Sequence, residues 1–405
     1  MTHWVPELLA PAGSLEKLKV AVSYGADAVY LGGQKFGLRS AADNFSPTAL
    51  GQAVDFAHRH NSLVYVVLNS FLHDGELSQL PSFLKLLETL NVDAVIVSDL
   101  GVVQTVLDHS NLVVHLSTQA SCINSSSARL WGEIGVKRVV LGREVTIADA
   151  KRIKKVSGLE IEMFVHGSMC MAYSGNCVIS NYTQGRDSNR GGCAHSCRFE
   201  YSLSGTKTIQ TDEEKKAQKF AHFMSSKDLQ GVRQLQEFID AGIDSLKVEG
   251  RMKSHNYAGT ISKVYSEALS FYKSNRSFLS EDLYRWEEEL KKVSHRDYHS
   301  GNLEGAADAQ SIFSDRQHGD SSAQACAIVA EVGEGYQLLE VKKAFNLGDT
   351  LEFVPFSGRN LEVRVEKISD ISGELFERSR PGMLMKMPLL PGVRPLNIVR
   401  TWERP

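Results

Sequence analysis

The sequence predicts a (β/α)8 barrel of the TIM type followed by a small all-β, barrel-like domain, and three observations carry that prediction. Eight short runs rich in Val, Ile and Leu recur through the first two-thirds of the chain, at 7–12, 28–32, 64–69, 94–99, 113–118, 138–144, 161–166 and 245–251. Helix-stop signals repeat just ahead of several of them, as in Gly25-Ala-Asp-Ala-Val29, Asn91-Val-Asp-Ala-Val95, Gly135-Val-Lys-Arg-Val139 and Gly242-Ile-Asp-Ser-Leu246. From Ala323 the pattern turns to short alternating strands.

The runs are apolar at successive positions, as strands of a parallel sheet covered on both faces should be. Between them the chain reads as helix. Ser14 caps the first, Leu15, Leu18 and Val22 share a face, and Gly25 closes it. The helix before the eighth run is expected to start at a Ser226 cap, with Leu229, Val232, Leu235 and Ile239 on one side. Right-handed βα units close most simply as a barrel, with an open doubly wound sheet as the alternative. Residues 1–275 form the barrel, interrupted by a cysteine-rich loop at 167–225. Within that loop 206–218 is a charged insertion. Helices at 257–273 and 281–292 follow, 276–322 is helix and linker (the linker being 294–322), and 323–405 is the β domain. Its turns fall at Gly333-Glu-Gly335, Asn346-Leu-Gly-Asp349, Ser357-Gly358 and Pro391-Gly392.

Composition narrows the class. Hydrophobic residues make up 42% and charged residues 23%, which suits a globular protein and not a disordered one. The N-terminus shows no basic region ahead of a long apolar core, and no stretch is long enough to span a bilayer. A cytoplasmic protein with reduced thiols and no membrane contact is expected. A net charge of −3 leaves any nucleic-acid contact to a local basic patch.

Barrel enzymes work at the C-terminal ends of their strands. Those ends carry Asn69, Asp99, Thr118, Gln119, Arg143, Glu144, His166, Lys247, Glu249 and Arg251. Polar residues gather there simply because loops begin there. Arg143, Glu144, Glu249 and Arg251 are harder to dismiss, because charges beside a barrel mouth must be paired or used. They are the candidate catalytic groups.

Cys170, Cys177, Cys193 and Cys197 lie within one loop, spaced C-x6-C, fifteen residues, C-x3-C. Cys122 and Cys326 stand alone and read as buried small side chains. Four clustered thiols in a reduced compartment point to a metal site. The spacing matches neither a zinc ribbon nor the common ferredoxin runs, so zinc and iron–sulfur both stay open, with some preference for the second. His195 is a possible rival ligand.

The segment Glu162-Met-Phe-Val-His-Gly-Ser-Met-Cys170, continued through Cys177 to Ser180, resembles the hallmark motif of the collagenase-like peptidase family. Further likeness lies in Glu7-Leu-Leu-Ala-Pro-Ala-Gly13, Gly25 to Gly33, His115-Leu-Ser-Thr-Gln119 and Val248 to Ser254. Within that family, Arg186 to Arg198, Ser225-Ser-Lys-Asp-Leu229 and the trailing β domain are similar to the members that hydroxylate tRNA. The resemblance implies an iron–sulfur cluster, of 4Fe-4S type, on Cys170, Cys177, Cys193 and Cys197. It implies prephenate as co-substrate, an anticodon-loop wobble uridine as target and 5-hydroxyuridine as product. Some members of the family pair with a second subunit. Arg143, Arg251 and Lys253 are the expected partners of the prephenate carboxylates. Two other readings are a peptidase and a non-catalytic subunit acting on a ubiquinone precursor or ribosomal RNA. The sequence holds neither H-E-x-x-H nor G-x-S-x-G.

Overall fold

The computed structural model describes residues 3–38, 43–202, 220–222, 224–309, 321 and 323–402. The charged insertion expected at 206–218 lies outside them. Eight parallel strands pair in chain order: Glu7–Pro11 (β1), Ala28–Leu31 (β2), Leu63–Leu68 (β3), Ala94–Val97 (β4), Val113–Leu116 (β5), Arg138–Val140 (β6), Glu160–Ser168 (β7) and Ser245–Val248 (β8). β8 bonds to β1 on one side and β7 on the other, so the sheet closes on itself. That closure rules out the doubly wound alternative.

Helices pack around the outside, starting as the sequence signals. The Ser14 side chain accepts from the Lys17 amide ahead of helix Leu15–Ser23, and Gly25 takes a left-handed φ of 94° just beyond it. One helix differs. Residues expected to open the helix before β8 instead form a short strand, Asp228–Gln230, antiparallel to the end of β7. Only Leu235–Ala241 is helical. Ser226 caps nothing; its hydroxyl donates to the Met169 carbonyl at 2.6 Å. A 3.6-residue apolar period does not exclude one strand pairing ahead of the helix, and the backbone groups at the end of β7 needed partners.

The expected linker is also more ordered than a linker. Tyr298–His299 extends the sheet beside Asp228, and Arg296 is buried against the Asp228 carboxylate at 2.7 Å. Leu303 joins the barrel core and its carbonyl accepts from Ile147 N. Residues 310–320 lie outside the described set.

The outer faces of the strands meet the helices through a continuous apolar core. The inner faces are not uniformly apolar. On one side of the barrel Leu9, Ala28, Tyr30, Tyr65, Val67, Ala94 and Ile96 fill the interior. On the other side Arg138 of β6, Glu162 of β7 and Lys247 of β8 point inward and pair.

The C-terminal sheet has six antiparallel strands in the order Leu361–Arg364, Thr350–Val354, Ile398–Trp402, Ala323–Gly333, Tyr336–Val341, Leu384–Pro388, with its own apolar core. It is a half-barrel. The four turn signals hold, with Gly335, Gly348, Gly358 and Gly392 all at positive φ. This domain is docked on the first helix and the helix His255–Asn275. The Tyr24 hydroxyl donates to the Val354 carbonyl and accepts from Ile398 N. Arg400 is fully buried among Asn256, Glu289, Glu352 and Thr260. Among the described residues, no helix is long and apolar enough to cross a membrane.

Candidate active site

A cavity of about 350 Å³ opens at the C-terminal mouth of the barrel, and all four clustered cysteines line it. So do Arg143, Lys247, Glu249, Arg251 and Lys253. The long β7–β8 connection folds back over the strand ends to reach this position. Two glycines allow it. Gly175, between Cys170 and Cys177, has φ of 81° and lies so close to the Gln119 carbonyl that a Cβ would collide with it. Gly167, at the end of β7, has φ of 112° and would meet the Glu249 carbonyl in the same way.

Side chains then pin the loop. The Glu144 carboxylate accepts from the Ser174 amide at 2.9 Å and from its hydroxyl at 3.3 Å. Glu144 does not line the cavity; it holds the loop that carries Cys170 and Cys177. Arg143 N donates to Ser174 Oγ at 3.1 Å, and Asn189 Nδ2 donates to the Cys177 carbonyl at 3.1 Å. Ala194 N, beside Cys193, donates to Ser180 Oγ at 3.0 Å. The segment Ser225 to Leu229 braces the same loop from behind through Ser226 and the Asp228–Arg296 pair. Its placement gives that sequence motif a physical role.

Arg143 is central. Its guanidinium lies over the Phe164 ring at 4.1 Å from the centroid, 3.7 Å from Cys170 Sγ and 4.0 Å from Glu249 Oε2. Its Nε is buried and has no hydrogen-bond partner among the described residues. Arg251 is buried and donates to Asn44 Oδ1 at 2.8 Å. The Lys253 ammonium donates to the Ser294 carbonyl at 2.9 Å; burial holds its pKa below the ordinary value despite Asp228. The mouth therefore gathers several cations beside the thiols, with Glu249 as the nearest carboxylate to Arg143.

The six cysteines are all unpaired, and Cys122 and Cys326 are buried as expected. Burial, then the nearby Cys170 and Cys193, push the Cys197 thiol up, while Arg198 opposes them. Among the described residues, no three His, Cys, Asp or Glu side chains already converge as a ready-made cage for one ion. A single zinc draws its thiolates to ~2.3 Å, whereas a multi-atom cluster holds its ligands wider apart. In kind, four thiols flanked by guanidinium groups fit an anionic, thiolate-ligated group. His195, at a left-handed φ of 56° between Cys193 and Cys197, also lines the cavity.

Of the other strand-end candidates, Asn69, Thr118 and Gln119 also line the cavity, while Asp99 and His166 do not. Asp99 caps helix Leu100–His109 through the Val102 amide. Asn69 accepts from Leu38 N. His166 is buried with Tyr265 and Tyr298 hydroxyls at its two ring nitrogens, at 3.2 and 3.3 Å. Burial pushes its pKa down to about 3, so it is a neutral packing residue. Sequence reasoning did not single out Phe164, Glu162 or Asn44. The signal for Glu162 was its inward parity in β7, two residues from Phe164.

Residues 13–312 match the sequence profile of peptidase family U32, and residues 321–400 match the U32 C-terminal domain. The chain belongs to peptidase family U32. This is the collagenase-like family whose motifs the sequence carries. A U32 relative from Bacillus subtilis, tRNA hydroxylation protein P1, is 39% identical over 98% of this chain and 94% of its own. A 23S rRNA 5-hydroxycytidine synthase from Escherichia coli is 37% identical over 65% of this chain and 39% of its own. A Porphyromonas gingivalis protein named collagenase is 27% identical over 98% of each chain.

Proposed function

We propose that this U32 protein hydroxylates RNA, and that its substrate is tRNA. The finer reading is prephenate-dependent conversion of a wobble uridine to 5-hydroxyuridine, with an iron–sulfur cluster on Cys170, Cys177, Cys193 and Cys197. The observation that carries it is the placement of all four thiols in one cavity with Arg143 and Arg251. The relatives named for tRNA and rRNA hydroxylation support the RNA substrate.

The chain's own residues supply the rest. Arg143 is held flat by Phe164 with its terminal nitrogens toward Cys170 and Glu249, which presents that edge to an anion in the cavity. Guanidinium groups match carboxylates in a fork, and Arg251, fixed by Asn44, and Lys253 give further contacts for a dicarboxylate such as prephenate. Glu249, 4.0 Å from Arg143 and on the same cavity wall, would hold or move a proton at the reacting centre. A cluster bound to the thiols would supply one-electron redox capacity. An anticodon loop offers unstacked bases, which a mouth of this kind can admit.

Deleting the gene, in a background without other routes to the nucleoside, should remove 5-hydroxyuridine and its derivatives from tRNA, as read by nucleoside mass spectrometry. Blocking prephenate synthesis should mimic the loss. Wild type should restore the nucleoside and Cys170→Ala should not, and the variant should lack the iron and sulfide that the wild type carries. Protein purified without oxygen should carry iron and acid-labile sulfide in near-equal amounts. Stoichiometric zinc without sulfide would sink the cluster, and an unaltered nucleoside profile with lost cleavage of a defined protein would establish a peptidase. Activity of the purified chain alone tests whether a second subunit is needed.

A further inference from the structure

The loop at the mouth exposes several aromatic and apolar side chains to solvent. Tyr182 is 93% exposed, Val178 65% and Tyr173 51%, and Met171 and Met252 are exposed beside them. Isolated exposed apolar residues are ordinary; several on one short loop are not. Tyr173 lines the cavity, and Tyr182 sits one helical turn after Ile179, which also lines it.

The rim is built rather than loose. Helix Ile179–Gln184 is closed by Gly185 in a left-handed conformation, and Thr183 Oγ1 donates to the Ile179 carbonyl at 2.8 Å. Asn181 Oδ1 accepts from Ser188 N at 2.9 Å, and Ser180 Oγ from Ala194 N at 3.0 Å. These ties fix the helix to the segment that carries Cys193, so Tyr182 is presented to solvent from a helix whose Ile179 lines the cavity. The segment 168–200 carries three arginines (Arg186, Arg190, Arg198) against two acids (Asp187, Glu200). Of these Arg186 is exposed, whereas Arg190 is held by Glu76 and the Phe71 carbonyl. Exposed aromatic faces suit single-stranded nucleic acid, because every unpaired base has a face to stack.

We propose that Tyr182 and Tyr173 form a stacking rim for the unpaired nucleotides that flank the target base in an RNA loop. This rests on the RNA substrate proposed above and adds how the loop is held. A flat ring that meets solvent on both faces loses little by binding a base, whereas a duplex keeps its bases stacked inside and gives the rim nothing to hold.

The test uses the full chain and two RNAs: a stem-loop with 2-aminopurine beside a loop uridine, and the same stem as a blunt duplex. Wild type should bind the stem-loop and quench the 2-aminopurine fluorescence. Tyr182→Ala and Tyr173→Ala should each weaken stem-loop binding about tenfold and lose part of the quenching, with Phe at either position staying within about twofold. Duplex binding should respond to none of them. Because Tyr182 is almost wholly exposed, its variants leave folding intact. Stem-loop binding untouched by both alanines, or an equal loss on the duplex, overturns the rim alone. Wild type that binds neither RNA overturns the RNA reading and the rim with it.

Discussion

Both ends of the barrel are lined with charge, but the charges are arranged differently. At the N-terminal end Arg138 reaches three carboxylates, Glu7 at 2.7 Å, Glu160 at 2.8 Å and Glu162 at 3.4 Å. Glu162, with no exposed surface, also accepts from Lys247 at 2.7 Å, and Glu7 accepts from Tyr65 and Ser245. Each of these charged groups has at least one partner at 2.8 Å or closer. At the mouth, by contrast, the nearest carboxylate to Arg143 is 4.0 Å away and its Nε has none. Removing one member of a paired buried set strands its partners, whereas Arg143, in a cavity and short of partners, fits the binding role proposed above. Lys247 joins the two, because it faces the mouth while its ammonium is held by Glu162.

The comparison can be broken most directly at Glu162. Glu162→Ala would leave Lys247 and Arg138 buried against too little negative charge, at a cost of about 3–5 kcal/mol. The equivalent removal at the mouth, Glu249→Gln, should change stability by less than about 1 kcal/mol while lowering activity. Urea unfolding of both variants measures this, and equal losses would erase the distinction between the ends.

A second effect sharpens it through pH. Burial pushes His115, at the N-terminal end, and His166, behind the mouth, down to about 3. The unfolded chain protonates each near its ordinary value of 6.5, while the native chain stays neutral until far lower. Their stabilisation is therefore full above that value and is lost as pH falls below it, by about 1.4 kcal/mol per pH unit for each histidine. Glu162, held below its ordinary pKa by Lys247 and Arg138 against the cost of burial, adds its own loss only at more acid pH. Replacing His115 by Gln should reduce the slope between pH 6 and 5 by one proton; an unchanged slope would mean that His115 takes up its proton in the native state as well.

The smallest expected effect lies in the half-barrel. Arg378 and Arg380 are exposed beside an open cleft, whereas Arg400 is wholly buried at the interface with the barrel. Arg400 is therefore out of reach of a phosphate, while Arg378 and Arg380 are open to one. Replacing Arg378 and Arg380 by Ala should lower the salt slope of RNA binding by about two without altering stability. A slope that does not move would leave this pair out of the RNA contact.

Periodicity carries the fold well because each βα unit is a local signal. The Ser14 cap, the turn glycines and the recurring stop-before-strand pattern all fall where the chain alone puts them. Two misreadings share one cause. Asp228–Gln230 became a strand because β7 offered unpaired backbone there, and residues 294–309 packed because Asp228 needed Arg296. Neither partner is near in sequence.

What the sequence determined by itself was the barrel, the half-barrel, the family and the four thiols as a group. Each follows from residue type at short spacing: apolar period, turn chemistry, motif and cysteine count. The tertiary structure alone decided which strand-end charges face the cavity. Arg143 and Glu144 are adjacent in sequence, yet one lies on Phe164 beside Cys170 while the other turns away to hold Ser174. It also decided that Arg138, Glu162 and Lys247 on three separate strands make one ionic column, because only closure of the sheet brings β6, β7 and β8 round a common axis. Pairing of charge across a closed barrel depends on which strands meet and in what register, and that is a property of the assembled sheet.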